Sequence, residues 1–153
     1  MKPIEVSVQV EQPREEVFAF LDVMANHEPF TDHMLVDWSY SGPASGVGAQ
    51  ARMRANVPGP KDWAEMTVID GEAPSRIVEQ AVSAGGKRRT QGTYTLHELP
   101  GGGTDVRFEL RYLQMPRSDR ILSPLLRLWL ARANARAMVR LGELLAGRTT
   151  PAP

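Results

Sequence analysis

Residues 123–145 read SPLLRLWLARANARAMVRLGELL, and their pattern predicts one long amphipathic helix near the C-terminus. Ser118 or Ser123 can cap its start, Pro124 suits a first helical position, and Gly147 ends it. One side of this helix is apolar and holds Leu130, Ala137, Leu141, Leu144 and Leu145. The opposite side holds Arg132, Arg136, Arg140 and Glu143. A helix with these two sides needs a large apolar surface to pack against.

Strands are predicted upstream of this helix, because apolar and polar residues alternate there with a period of two. The seven predicted strands cover residues 4–10, 36–40, 49–57, 63–69, 76–82, 88–99 and 104–112. The last six follow one another across turns rich in Gly and Pro, which predicts an antiparallel meander and excludes parallel βαβ units. Two short helices, over 13–24 and 28–33, are predicted between the first strand and the other six.

These elements predict an α+β fold in which a curved, seven-stranded antiparallel sheet wraps around the long C-terminal helix. The sheet must cover one apolar face, and this helix is the large apolar element available to cover it. The predicted element order is β-α-α-β6-α. We expect a single domain over residues 1–147, followed by a flexible polar tail over 148–153.

A cavity is predicted between the sheet and the helix, because both contribute small side chains where a filled core needs large ones. On the third strand these residues are Ala49, Ala51 and Ala55, and the facing helix is rich in alanine. Small ligands bind in cavities of this kind. The alternative is that large side chains fill the gap, namely Trp38, Met53, Met66, Phe108 and Trp129.

The composition excludes several classes of protein. Eighteen Lys and Arg balance eighteen Asp and Glu among 153 residues, so the chain lacks the net basic charge of a dedicated nucleic-acid binder. There is no cysteine, which excludes disulfides, thiol nucleophiles and Cys-ligated metal centres. The start has no apolar signal core, and no run reaches the ~18 apolar residues of a membrane span. We therefore expect a cytoplasmic protein without a transmembrane segment.

Four short motifs, in their order and spacing, resemble those of a known family. They are VEQPREEVF at 10–18, GVGA at 46–49, GTYTL at 92–96 and GGTDVRF at 102–108. Together with the element order, they make the chain resemble the helix-grip fold of the START/Bet v 1-like (SRPBCC) superfamily, polyketide cyclase/dehydrase-like branch. The resemblance implies a hydrophobic ligand such as a lipid, sterol, quinone or polyketide. It implies catalysis of cyclisation or dehydration in some members, and carriage or sensing in others. No catalytic motif of the family matches this sequence, so no catalytic residue is carried over.

Candidate ligand contacts follow from taking the more apolar face of each strand as its inner face. The predicted apolar wall consists of Phe30, Trp38, Met53, Met66, Phe108 and Leu130. The polar groups predicted to orient a ligand are Tyr40, Gln80, Tyr94, Tyr112 and Asn134. The inner face of strands 63–69 and 76–82 stays open, because the opposite register would turn Glu65 and Glu79 inward.

The pair His27 and His33 does not predict a metal site. The two residues are six apart with Pro29 between them, whereas a metalloprotease helix spaces its histidines four apart on one face. We expect both to flank the second helix near the cavity mouth. His33 is then a candidate acid or base, and Tyr94 and Tyr112 are further catalytic candidates. The predicted inward groups do not titrate near neutral pH, which favours binding over catalysis.

Three functions remain open at this point. The first is binding of a small hydrophobic ligand, such as a lipid, polyketide or quinone, in the internal cavity and without a cofactor. The second is an enzyme of the polyketide cyclase or dehydratase type acting in the same cavity, and the third is an interaction module without a ligand. The face formed by Arg132, Arg136 and Arg140 predicts a solvated surface, or else contact with an acidic partner, an anionic membrane or a second copy in a homodimer. Leu122 and Trp129 are predicted on the same side.

Overall fold

One antiparallel sheet forms the body of the computed structural model, which describes residues 1–56 and 62–149. Its strands are β1 (Ile4–Val10), β2 (Leu35–Ser41), β3 (Gln50–Ala55), β4 (Trp63–Glu72), β5 (Arg76–Ser83), β6 (Arg88–Glu98) and β7 (Thr104–Gln114). The spatial order is β1-β7-β6-β5-β4-β3-β2, so β2 to β7 form the predicted meander and β1 pairs with β7. The predicted α+β architecture is confirmed.

Helices precede and follow the meander. Between β1 and β2 lie α1 (Arg14–Leu21), a 3-10 turn (Met24–His27) and α2 (Glu28–Thr31). After β7 come α3 (Arg117–Ile121) and the long α4 (Ser123–Thr149). The helix predicted over 13–24 therefore ends at Leu21 and gives way to the 3-10 turn, and the helix predicted over 28–33 ends at Thr31.

Two predicted boundaries differ from those in the structure. The strand predicted over 49–57 ends at Ala55, and Val57 lies outside the described residues. Arg148 and Thr149, predicted to begin a flexible tail, still belong to α4, and residues 150–153 also lie outside the described part. Within residues 1–56 and 62–149, no helix combines the length and the apolar character needed to cross a membrane.

Among the described elements, α4 packs most extensively against β1 and then against α2. Gly142 permits this approach, since a Cβ atom there would lie 3.3 Å from the Val8 side chain. The buried face of α4 joins the core through Ala137, Met138, Leu141 and Leu145. Because α4 leans toward one edge of the sheet, space remains over the middle strands.

Polar contacts fix both ends of α4. Near its start, the Arg127 guanidinium donates to the carbonyl oxygen of Pro3 at 3.1 Å. Near its end, the buried Gln12 amide donates to the carbonyl oxygen of Leu145 at 2.9 Å, and the Thr104 hydroxyl donates to the Gln12 carbonyl at 2.7 Å. Each such bond contributes about 1 kcal/mol to stability. These contacts hold α4 across the sheet at its two ends. The space between the middle of α4 and the sheet therefore does not have to be filled by side chains to keep the helix in place.

Candidate ligand cavity

A cavity of about 220 Å³ lies between the sheet, α2 and α4. It is larger than the ~150 Å³ apolar cavity that is known to bind benzene. It is smaller than the ~300 Å³ at which typical ligand pockets begin. Its apolar lining comprises Phe30, Met34, Leu35, Trp38, Met53, Met66, Phe108, Leu110, Leu126, Trp129, Leu130 and Met138. The alternative that large side chains fill the gap is wrong, because all five residues named for that role form walls of the cavity instead.

Small residues keep this space open. Those that line the cavity are Ala55, Ala64, Ala81, Gly92 and Ala137. Ala49 and Ala51, also predicted to leave volume, are buried in the core and do not line the cavity. At Gly92, a Cβ atom would lie 2.8 Å from the Phe108 ring, which is too close. Glycine at this position therefore lets the Phe108 ring lie across β6.

His27, Glu79 and Tyr94 form a buried polar group, here called the inner cluster, in the cavity wall. They come from the 3-10 turn, β5 and β6, and none is more than 5% exposed. His27 Nδ1 lies 3.8 Å from Glu79 Oε2, and the His27 ring meets the Tyr94 ring edge-on with centroids 5.6 Å apart. Glu79 is paired with Gly92 across the strands, and the missing side chain there leaves room for its carboxyl group.

A buried carboxyl oxygen of Glu79 has no hydrogen-bond partner in the described structure. Oε2 is fully buried and makes no hydrogen bond within the described residues. Burial raises the pKa of Glu79, and the charge of the neighbouring His27 opposes this shift without cancelling it. An unsatisfied buried group of this kind costs about 1–3 kcal/mol. Since Glu79 faces the cavity, its carboxyl group can accept a ligand hydrogen when ionised or donate one when protonated.

The tautomer of His27 follows from its contact with Leu21. Its Nε2 atom lies 2.7 Å from the Leu21 carbonyl oxygen, which can only accept, so Nε2 carries a hydrogen. Neutral His27 therefore turns a bare Nδ1 toward Glu79. The bare Nδ1 atom can accept a hydrogen from a protonated Glu79 carboxyl group. Burial, together with the charge of Glu79, raises the pKa of Tyr94 well above its usual value, so its hydroxyl stays protonated.

A second polar group, here called the outer cluster, surrounds Arg88 at the start of β6. The guanidinium donates to both carboxyl oxygens of Asp119, at 2.6 and 2.7 Å, and also to the Ser83 hydroxyl at 3.2 Å and Asp62 at 3.4 Å. The Tyr112 hydroxyl donates to Asp119 at 3.3 Å. At about 3.3 Å per strand residue, Ser83 lies roughly 13 Å along β5 from Glu79.

The ionic groups of the outer cluster are already paired with each other. Burial raises the pKa of Asp119, but the hydrogen bonds and charge of Arg88 outweigh it, so the net shift is downward. Burial, followed by the charge of Asp119, raises the pKa of Tyr112 to about 12. This cluster therefore anchors α3 to the sheet, whereas the inner cluster keeps an unpartnered atom.

Nine predicted ligand contacts do line the cavity: Phe30, Trp38, Met53, Met66, Tyr94, Phe108, Tyr112, Leu130 and Asn134. Their part in binding remains a proposal. Asn134, predicted to orient a ligand, donates its amide to the Leu130 carbonyl one turn earlier, at 2.8 Å.

The placement predicted for Gln80 is wrong. Its amide bonds to Gln91 at 3.1 Å, and the cavity is lined from β5 by Glu79, Ala81 and Ser83. The structure therefore has the opposite register on this strand, which turns Glu79 inward. On β4 the original register holds at Met66, and Glu65 is exposed.

The placement predicted for Tyr40 is also wrong. Tyr40 stacks on Trp38 with ring centroids 6.0 Å apart, but it does not line the cavity and is 45% exposed. It lies on the edge strand β2, after a bulge at which Asp37 has a φ of 58°. Its hydroxyl donates to Glu28 at 2.5 Å, and burial followed by this hydrogen bond raises its pKa.

His33 lies outside the cavity, at the junction of α2 and α4. Its Nε2 atom donates to the Ala133 carbonyl at 2.8 Å, and its Nδ1 atom accepts from Arg140 at 3.0 Å. Arg140 also binds Asp32 and donates to the Pro29 carbonyl at 2.8 Å. The prediction that His33 is an acid or base at the cavity is therefore wrong, because both of its nitrogens face other protein atoms. Arg140 belongs to this junction and does not lie on an open arginine face.

Several site residues were not identified from the sequence. His27 was expected only beside the second helix, and Trp129 was expected on the arginine side, yet both line the cavity. Glu79 could have been found, since the open register of its strand already allowed it to point inward. Arg88 and Asp119 are 31 positions apart, and no periodic pattern links them.

Comparison with known proteins supports the fold. Neither a family model nor a curated protein matches the chain. The Zhui aromatase/cyclase from Streptomyces sp. R1128 has a TM-score of 0.80 at 11% identity, with 97% of this chain and 96% of that chain covered. KanY, solved by NMR, has a TM-score of 0.76 at 12% identity, with 95% and 98% covered. TTHA0849 from Thermus thermophilus has a TM-score of 0.73 at 18% identity, with 97% and 100% covered.

The chain has the helix-grip fold of these proteins. The match extends over nearly the whole length of each, and it includes a protein described as an aromatase/cyclase. At identities of 11–18% the likeness is one of fold alone. The predicted helix-grip architecture is therefore confirmed, and ligand and activity must be argued from the cavity.

Proposed function

We propose that this protein binds a small, flat, apolar molecule whose hydroxyl or carbonyl group meets Glu79 in the cavity. The observation that carries the proposal is the buried Oε2 atom of Glu79, which lies in the cavity wall and makes no hydrogen bond within the described residues. A ligand that supplies the missing hydrogen bond removes a cost of about 1–3 kcal/mol from the folded protein. Such a ligand is therefore bound for its polar group as well as for its apolar surface.

The size of the cavity narrows the ligand class. A volume of about 220 Å³ accommodates a molecule somewhat larger than benzene, of the order of two fused rings. A compact ring system matches this volume better than a whole lipid or sterol, which the resemblance also implied. An aromatic polyketide fragment or a small quinone fits it, and the fold shared with an aromatase/cyclase supports the same choice. The open cavity also argues against an interaction module without a ligand.

The binding proposal is tested by calorimetric titration with 2-naphthol and with 2-methylnaphthalene, which lacks the hydroxyl group. We expect both to bind and 2-naphthol to bind more tightly, because only its hydroxyl can pair with Glu79. Glu79→Gln should reduce the difference between the two compounds. Ala81→Leu, which fills the cavity, should abolish both, while Ala135→Leu on the exposed side of α4 should abolish neither. Equal binding to wild type and Ala81→Leu would contradict the proposal.

A second candidate is an enzyme of the polyketide cyclase or dehydratase type, and the His27–Glu79 pair favours it. Such reactions begin with loss of a proton beside a carbonyl group. The Glu79 carboxylate takes that proton, the electrons of the C–H bond form an enolate, and the Tyr94 hydroxyl can donate to the enolate oxygen. His27 at 3.8 Å can hold the proton that Glu79 releases.

The catalytic proposal is tested with 2-tetralone, a bicyclic ketone, in deuterated water. The protein should accelerate deuterium incorporation beside the carbonyl group, as followed by proton NMR. Glu79→Gln should remove the acceleration, while His33→Gln should keep it because His33 lies outside the cavity. Binding of 2-tetralone without any acceleration would leave the binding function and exclude this catalytic one.

A further inference from the structure

An exposed apolar surface lies at the start of α4, on the side away from the cavity. It consists of Ile121, Leu122, Leu125 and Leu128, here called the leucine surface, whose exposed fractions are 80, 55, 70 and 48%. The same segment lines the cavity with Asp119, Leu126 and Trp129. One side of this segment thus faces the ligand site and the other presents aliphatic side chains to the outside.

Arginines surround the leucine surface. Residues 117–140 contain six arginines and one carboxylate, Asp119, which is buried and paired with Arg88. Arg117, Arg120 and Arg132 are exposed, and no carboxylate in the part of the chain that the structure describes pairs with them. Because the whole chain holds equal numbers of basic and acidic residues, the rest of it carries a net negative charge. The basic charge is therefore concentrated around the exposed leucines.

We propose that the leucine surface and its arginines dock the protein on an anionic lipid membrane, with the start of α4 in the interface. Aliphatic side chains flanked by arginines are the pattern of helices that lie in the membrane interface. Each arginine near an anionic surface adds electrostatic attraction, and each leucine that enters the acyl region adds apolar burial. This proposal does not depend on what the cavity binds.

Two other partners fit the surface less well. A two-fold dimer through the leucine surface would bring Arg117, Arg120 and Arg132 of one copy close to those of the other. A protein partner would be expected to meet aromatic anchors, and the exposed part of this surface offers aliphatic side chains only. An anionic membrane avoids both difficulties.

The experiment measures co-sedimentation with vesicles of phosphatidylcholine alone and of equimolar phosphatidylcholine and phosphatidylglycerol. Wild type should bind the anionic vesicles only, and less at high salt. Leu125→Ser with Leu128→Ser should weaken binding at least tenfold, whereas Val47→Ser, also exposed but in the β2–β3 loop, should not. Arg117→Gln with Arg132→Gln should weaken it roughly 25-fold, at about fivefold per arginine. Arg107→Gln with Arg111→Gln, on β7, is the matched control.

Thermal melting and sedimentation velocity complete the test. All substituted side chains are exposed, so the variants should melt like wild type and remain monomeric. Equal binding to both vesicle types, or equal losses in the control variants, would overturn the proposal. Absence of vesicle binding would overturn it as well. In that case sedimentation velocity would show whether the protein dimerises through the leucine surface, and a binding assay with polyglutamate would show whether the surface takes an acidic partner instead.

Discussion

Replacing Glu79 with glutamine should stabilise the folded protein and at the same time weaken binding of a hydroxylated ligand. Glu79 is buried in the cavity wall, and its Oε2 atom makes no hydrogen bond in the described structure. Burial raises its pKa, so the folded state disfavours the ionised form. Glutamine has nearly the same shape without the charge, and its amide can donate to the bare Nδ1 atom of His27.

The expected gain depends on pH in a defined direction. Below about pH 4.3, the ordinary pKa of a glutamate, Glu79 is protonated in both the folded and the unfolded chain, so glutamine has no charge-related advantage. As the pH rises, the unfolded chain loses its proton first, because the folded-state pKa is higher, and the stability of wild type falls. The advantage of Glu79→Gln therefore grows with pH until Glu79 in the folded protein is also ionised.

The size of this effect follows from the unsatisfied group. A buried polar group without a hydrogen-bond partner costs about 1–3 kcal/mol. In a domain of this size, 1 kcal/mol changes Tm by about 2–4 °C, so the expected gain in Tm is about 2–12 °C near neutral pH.

The assay is thermal unfolding, followed by circular dichroism, from about pH 4 to pH 8. Glu65→Gln is the matched control, because it makes the same substitution at an exposed position of the neighbouring strand and should leave Tm almost unchanged. If Glu79→Gln were less stable than wild type near neutral pH, or if its advantage did not change with pH, the argument from burial would be refuted.

Three further predictions concern the surroundings of the cavity. Asp119→Asn should lower the free energy of unfolding by about 1–3 kcal/mol at pH values above about 3.9, the ordinary pKa of aspartate. Because burial is outweighed by Arg88, which lowers the pKa of Asp119 in the folded protein, this loss should disappear as the pH falls through that lowered pKa. Denaturant unfolding at several pH values measures both effects. Gly92→Ala should destabilise the protein by roughly 1–3 kcal/mol in the same assay and weaken binding of 2-naphthol, because the added Cβ would lie 2.8 Å from the Phe108 ring. An unchanged free energy of unfolding and an unchanged affinity would contradict the packing described for β6. Leu141→Ala should cost about 2–5 kcal/mol, since this side chain of α4 is fully buried, and a loss below about 1 kcal/mol would show that α4 is not anchored there.

The fold was largely predictable because its signals are periodic and local. The strands carry period-two alternation, and residues 123–145 carry a helical stripe long enough to need a whole sheet face. The cavity followed from alanines at inward positions, two of which, Ala55 and Ala137, do line it. Helix ends shifted by a few residues, since the 3-10 turn at Met24–His27 depends on contacts with distant segments, such as the hydrogen bond from the Met24 N–H to the Ala44 carbonyl oxygen at 3.2 Å.

The polar part of the site was less predictable, and β5 shows why. This strand has apolar residues on both faces, with Ile77 and Ala81 on one and Val78 and Val82 on the other. Alternation alone therefore could not decide whether Glu79 or Gln80 points inward. The structure decides it by pairing Glu79 with Gly92, which gives the carboxyl group the room it needs.

Contacts between distant segments explain the remaining differences. His33 and Arg140 are 107 positions apart, yet they meet where α2 packs on α4. His33 is therefore not an acid or base at the cavity, and Arg140 does not lie on an open arginine face. Arg88 and Asp119 are joined in the same way across β6 and α3. Such pairs arise from the packing of whole elements, and periodicity within one element carries no information about them.

Methionine methyl NMR during a titration with 2-naphthol tests the central claim most directly, because methionines lie both in and away from the cavity wall. The claim is that a vacant, apolar space between the sheet and α4 accepts an aromatic guest. The account predicts that the methyl resonances of Met34, Met53, Met66 and Met138, which line that space, shift as 2-naphthol is added, while those of Met1, Met24 and Met115 stay in place. Unmoved signals from the four cavity methionines, with or without shifts at the other three, would contradict it.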